Sequence, residues 1–296
     1  MKYISLDKLF SLTFGLVVFW FFAFLYPFHL NYQEQYQMFL FSSDYFLNFF
    51  AKPGGISDYI GNFFTQFYFY SRLGAVIIAV LLVLLQRAVW SISRKIGAKS
   101  VFFPLTVIPS LLYWGLLCDE NYLLGGLIAL LLVAGFITIY SILKSAKIRL
   151  LFVWISIPVL FWMVGGAFLL LLVFALAYEI LKRESKIAEL SVWFVVSAVL
   201  SYAIPTLCKA WFLQYPLREV WIGTNYFRFP VNIPISVGII VLSVVVIPFA
   251  VYYLSRFIRK DNSKVLIAGQ LMVVLLGGYF LISHSADMSK EEVMAY

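Results

Sequence analysis

Two short stretches place carboxylates where they could do chemistry. Glu34 sits among amides in Tyr32-Gln33-Glu34-Gln35-Tyr36-Gln37, and Asp119-Glu120-Asn121 falls between two long apolar runs. A carboxylate beside hydrocarbon costs desolvation energy unless it reaches water, a cation or a substrate. In a wet cleft, one such group can act as general base on an acceptor hydroxyl while another holds a divalent cation or steers a phosphate. The expectation is that Glu34, Asp119 and Glu120 share one cavity, with Gln37 as a supporting group. Arg218 and Arg228, in a later polar segment, carry donors suited to a phosphate. A structural alternative stands beside each of these readings. Asp119 or Asn121 can cap the helix that follows, and Arg218, Glu219 and Arg228 can form an exposed rim.

Other reactive residues point less firmly to chemistry. His29 and His284 fall at helix ends, where water-exposed interfacial histidines account for them better than a shared metal. Cys118 and Cys208 also end apolar runs, and two cysteines in such surroundings are more often unpaired than bridged. Glu179 stands one turn before Lys182 and Arg183, a spacing that predicts an ion pair along one helix. No Walker loop, dinucleotide fingerprint, GxSxG, CxxC or HExxH occurs in the chain, which removes ATP-driven pumping and the usual metalloprotease chemistry as readings.

These residues must be held by elements that live in lipid. Hydrophobic residues make up 63% of the 296, charged residues only 12%, and mean hydropathy is +0.95. A soluble domain carries about 25% charged residues, and no soluble fold of this size hides so much apolar surface. Runs near the length of a spanning helix occur at 9–28, 73–90, 101–117, 122–143, 190–207, 233–254 and 265–283. A further run, 150–181, is too long for one span and short for two; Gly165-Gly166 lies at its middle and basic residues flank both ends. Two short helices turning at that pair keep both basic clusters on one side. The fold class is therefore all-α, a polytopic transmembrane helix bundle of about nine spans with one Gly-Gly-centred pair.

Charge placement orients the bundle. With the N-terminus inside, sixteen of the 22 Lys and Arg fall in inner segments, and nine of the 14 acids fall outside. That is the positive-inside pattern of a bacterial inner membrane protein. The net charge of +8 is thus a topology signal, and nothing marks a nucleic-acid surface. Two outer segments are substantial, 29–72 and 208–232. In the first, Tyr32, Tyr36, Phe39, Leu40, Phe46, Leu47 and Phe50 repeat at helical spacing until Lys52-Pro53-Gly54-Gly55 breaks the chain. A second amphipathic piece follows, with Asp58, Asn62 and Gln66 along one stripe. Both are expected to lie in the interface.

The layout resembles a known class. A first span, a long outer loop with an acid and interfacial helices, a span pair and a short outer loop with Asp-Glu is similar to the membrane half of GT-C glycosyltransferases. That resemblance implies sugar transfer from a polyprenyl-phosphate donor, with Glu34 matching the first-loop acid and Asp119 or Glu120 the second. A divalent cation is the cofactor that it implies. Here the first-loop acid stands alone instead of in the usual Asp-Asp or Asp-Glu pair. In wording, Tyr32-Gln33-Glu34-Gln35-Tyr36-Gln37, the run 53–61 and Thr65-Gln66-Phe67 resemble an uncharacterised family of bacterial multi-pass membrane proteins. Members of that family carry no established activity, and they tend to continue into a soluble helical domain after the last span.

Two domain expectations follow. Residues 1–283 form the transmembrane domain. From 284 an outer helical segment begins, where Ser289-Lys290-Glu291-Glu292 has the capping-box pattern of a helix that continues in a longer parent. The alternative to a transferase is a non-catalytic anchor presenting that outer segment. A transporter is disfavoured, because no span carries a charge near its middle.

Overall fold

The computed structural model describes residues 6–182, 186–214, 216–223, 228, 233–257 and 263–289. Every regular element among them is helical. The first span is α1 (Leu6–Trp20), extended by a π-helical turn, Phe21–Leu25, that closes with the Tyr26 amide donating to the Phe21 carbonyl at 2.8 Å. Pro27 then starts α2 (Pro27–Gln35), a position that suits its missing N–H.

The loop after the first span departs from the continuous helix that its spacing predicts. The chain leaves helical geometry at 37–41 and resumes as α3 (Ser43–Phe50), where Ser42 Oγ accepts from the Tyr45 amide at 3.2 Å. That N-cap is the local reason for a restart. After the expected break, Gly54 at φ +76° leads into α4 (Gly55–Thr65) and a 3-10 turn, Gln66–Phe69. Of the stripe Asp58, Asn62 and Gln66, Asp58 does not face water, while the other two are half-buried. Asp58 is 4% exposed and Gly61 is buried, both packed on the next span pair. A Cβ on Gly61 would lie 2.5 Å from the Gly125 nitrogen, and a Cβ on Gly125 would lie 2.8 Å from Asp58 Oδ1. Two backbones meet there, and only glycine permits it.

The bundle is built around α5 (Ser71–Ile96), which ends at Gly97 with φ +114° in a left-handed cap. A 3-10 stretch, Ser100–Val107, feeds α6 (Ile108–Leu117), and α7 (Leu124–Ile142) returns. Inside the bundle Ser11 Oγ donates to Gln86 Oε1 (2.7 Å) and Gln86 Nε2 donates to Thr106 Oγ1 (3.2 Å). Three elements are joined by this fully paired buried network, the form in which polar groups survive in hydrocarbon.

The 150–181 run folds as α8 (Ala146–Val164), a tight turn at Gly165–Phe168, and α9 (Leu169–Lys182). Gly165 takes φ +59°, ψ −144°, which a side chain would not tolerate. Arg149 and Glu179, 30 positions apart, bond to each other, so the two helices lie side by side. Glu179 therefore does not rely on Lys182 and Arg183. Its carboxylate is buried against Arg149, with Nε to Oε1 at 2.6 Å and Nη2 to Oε2 at 3.2 Å. Beyond it come α10 (Ile187–Trp211), the short α11 (Leu217–Ile222), α12 (Ile235–Phe257) and α13 (Ser263–Ser285).

By length and composition, eight segments among the described residues can cross a membrane, with 146–182 counted as one. Large apolar side chains such as Leu16, Val195 and Leu275 point outward from α1, α10 and α13, as lipid-facing spans require. Of the expected 289–292 helix start, only Ser289 lies within the described residues, and its hydroxyl donates to Asp287 Oδ1 at 2.6 Å.

Candidate functional site at the outer end

One glutamine assembles one end of the bundle. Gln33 is 6% exposed, and its Nε2 donates to the carbonyls of Glu120 and Tyr122 at 3.1 Å each, with the Asp119 carbonyl at 3.5 Å. The turn after α6 has backbone acceptors with no helix to satisfy them, and a buried amide supplies the donor. Tyr26 adds a second clasp: its hydroxyl donates to the Cys118 carbonyl and accepts from the Asp287 amide, both at 3.3 Å. His29 stacks on Tyr26 with ring centroids 4.9 Å apart and is 1% exposed. Its expected water-exposed position is thus corrected; the short α2 folds back over the end of the first span and covers it. His284 is exposed and stacks on Phe280. Cys118 and Cys208 are both free thiols.

The sequence-predicted site residues separate into three places at this end. Asp119 is exposed, and its Oδ1 accepts from the amide of Asn121 (2.8 Å) and from Asn121 Nδ2 (3.0 Å). It shapes its own turn and does not cap α7, whose N-cap Leu123 carries no side-chain bond. Glu120 is half-buried and faces the Tyr32 side of α2. Arg228 reaches the same spot: its amide donates to the Asn121 carbonyl at 2.7 Å, and its guanidinium stands 3.8 Å from the centroid of Tyr36. The Tyr32 and Tyr36 hydroxyls are 2.6 Å apart. That bond, followed by burial, lifts the Tyr32 phenol above its ordinary pKa, while a hydrogen bond from Arg228 opposes the shift. Nη2 of Arg228 is shielded and has no acceptor among the described residues.

Glu34 lies one residue past the Gln33 clasp and therefore points elsewhere. It lines a cleft of about 530 Å³ together with Gln35, Gln37, Gln66, Phe67 and Tyr70. Neither Asp119 nor Glu120 belongs to the walls of that cleft. Oε1 of Gln37 is buried in the wall with no donor among the described residues. Arg218 is exposed on α11, which rests on the Gly165-Gly166 turn. No contact among the described residues joins it to Arg228 or to the three acids. Gly166 closely approaches the Trp221 carbonyl and Gly223 approaches Gly165 and Pro53, so α11 serves as a lid for that turn.

Two positions that sequence reasoning left aside matter here. Gln33 is the clasp, and its only signal was an amide-rich stretch in an apolar chain. Asp58 sits beside the first turn of α7, where a carboxylate is favoured by the helix dipole, with Lys52 Nζ at 3.9 Å. Among the described residues, no three of His, Cys, Asp and Glu are grouped so as to hold a metal ion.

A helical chain with several apolar segments long enough to cross a membrane and a polar cluster at one end defines a multi-pass membrane protein. The chain belongs to a family of unknown function, DUF6057, whose model matches residues 2–296. No curated protein and no solved structure matches it.

Proposed function

We propose that this protein is a GT-C-like transferase that moves a sugar from a polyprenyl-phosphate donor at the outer leaflet of a bacterial inner membrane. The observation that carries the reading is the Glu34 cleft. One carboxylate, three glutamine side chains and aromatic rings line it, and this is the chemistry that recognises a sugar: amides for hydroxyls, ring faces for the apolar side of the pyranose, and a base for the attacking oxygen. In the proposed step Glu34 takes the proton of an acceptor hydroxyl, that oxygen bonds to the anomeric carbon, and the polyprenyl phosphate leaves with the electron pair. Arg228 is the cation assigned to the phosphate, and no step passes through a metal. Gln37 orients the sugar; Glu120 and Arg218 flank the site. Nine crossings, with α8 and α9 counted separately and the N-terminus cytoplasmic, place this end outside; the charge bias supports that orientation. The segment after residue 283 then lies on the same side.

A second reading is favoured by Asp119. Its carboxylate is engaged by Asn121, and Gln33 ties the neighbouring backbone, as a rigid non-catalytic platform would require. The discriminating experiment supplies polyprenyl-phosphate sugars to the protein in nanodiscs. Transfer should occur and should fall by ~10²-fold or more in Glu34→Gln, the scale of general-base loss, while the variant melts as the wild type does. No turnover with any such donor, or turnover indifferent to Glu34→Gln, would leave the platform reading in its place.

A further inference from the structure

We infer that a groove between α8 and α10, at the end of the bundle rich in Lys and Arg, is a binding site for one anionic phospholipid. This site is independent of the transfer reading. The groove encloses about 470 Å³ and is lined on one side by Lys147, Leu151 and Trp154, and on the other by Glu189, Val192 and Trp193. Its two walls are tied to each other by their indoles. Trp154 Nε1 donates to Ser197 Oγ at 3.0 Å, and Trp193 Nε1 donates to the Leu150 carbonyl at 3.2 Å. Neither indole can swing in to fill the space without leaving an N–H unpaired in hydrocarbon, which costs several kcal/mol. An apolar wedge at that depth is therefore filled by an acyl chain.

The head of that lipid is specified by charge. Lys147 stands at the mouth, Lys144 precedes α8 and Lys186 is the residue just before α10; all three are exposed. Glu189 is the acid facing them across the groove. Among the described residues, Lys147 and Glu189 line the groove and Lys144 and Lys186 flank the starts of its two helices, three cations to one anion, which favours a phosphodiester with net negative charge over a zwitterion. Basic pockets between spans near the cytoplasmic surface bind anionic headgroups for this reason.

The test uses native mass spectrometry of the full chain, released from nanodiscs that hold equal phosphatidylglycerol and phosphatidylcholine. Phosphatidylglycerol should be retained in excess by wild type. Lys147→Ala with Lys186→Ala should cut that excess about fivefold per lysine, and Glu189→Gln should raise it. Leu151→Trp, which fills the wedge, should expel both lipids while the cations remain. Equal retention of the two lipids, or an excess untouched by the double lysine variant, would overturn the inference. So would displacement of the lipid by millimolar inorganic phosphate, since the site would then be one for a small anion.

Discussion

Removing the Glu179 carboxylate should destabilise this protein more than almost any other single truncation. Arg149 and Glu179 are 2% and 1% exposed. The guanidinium is fully committed: Nε and Nη2 go to the carboxylate, and Nη1 donates to the carbonyls of Leu143 (3.2 Å) and Lys144 (3.1 Å) at the end of α7. Tyr140 donates to Glu179 Oε1 at 2.8 Å. Glu179→Ala removes the carboxylate from a buried cation, a loss of ~3–5 kcal/mol. The orphaned Tyr140 hydroxyl adds ~1 kcal/mol. For a mid-sized domain this is a drop in melting temperature on the order of 10 °C, read by thermal unfolding in detergent. Glu179→Gln keeps an acceptor for Tyr140 and should fall between. Replacing both partners, Arg149→Met with Glu179→Leu, should recover most of the loss, because the desolvation of two ions disappears with them. A cost below ~1 kcal/mol for Glu179→Ala, or a double variant no more stable than the single, would show that water reaches the pair and would refute the reasoning.

Two further outcomes follow. The Tyr68 phenol is wholly buried outside the spans, and burial pushes its pKa far above the ordinary value of 10.0. The folded state keeps its proton while the unfolded chain loses it, so stability is flat below about pH 9 and falls as pH rises past 10, by up to ~1.4 kcal/mol per pH unit. Melting temperatures from pH 8 to 11 should decline more steeply for wild type than for Tyr68→Phe, and parallel curves would discount the effect. Reporter fusions after Lys147 should read cytoplasmic and fusions after Trp221 periplasmic; either one reversed breaks the orientation.

The bundle was legible because lipid leaves so few options. Apolar runs of spanning length and a lopsided distribution of Lys and Arg need no tertiary knowledge to interpret. The turn within 146–182 falls at Gly165-Gly166, where a backbone free of side chains can make it. What the sequence could not show is which residue of an amphipathic stripe meets protein and which meets water. Asp58 has the spacing of a solvated stripe, yet Gly61 and Gly125 let two backbones close over it, and that contact joins positions more than sixty apart. The candidate site failed to be read in the same way. Glu34 stands at the same end of the bundle as Asp119 and Glu120, but α2 turns by about 100° per residue, so the neighbour that touches the Asp119-Glu120 turn is Gln33. A shift of one residue along a helix therefore decides whether a carboxylate joins the other acids or faces a cleft of its own. Glu34 faces its own cleft, and for that reason the proposed chemistry rests on a single carboxylate, with Arg228 as its assigned cation, and not on a cluster of three acids.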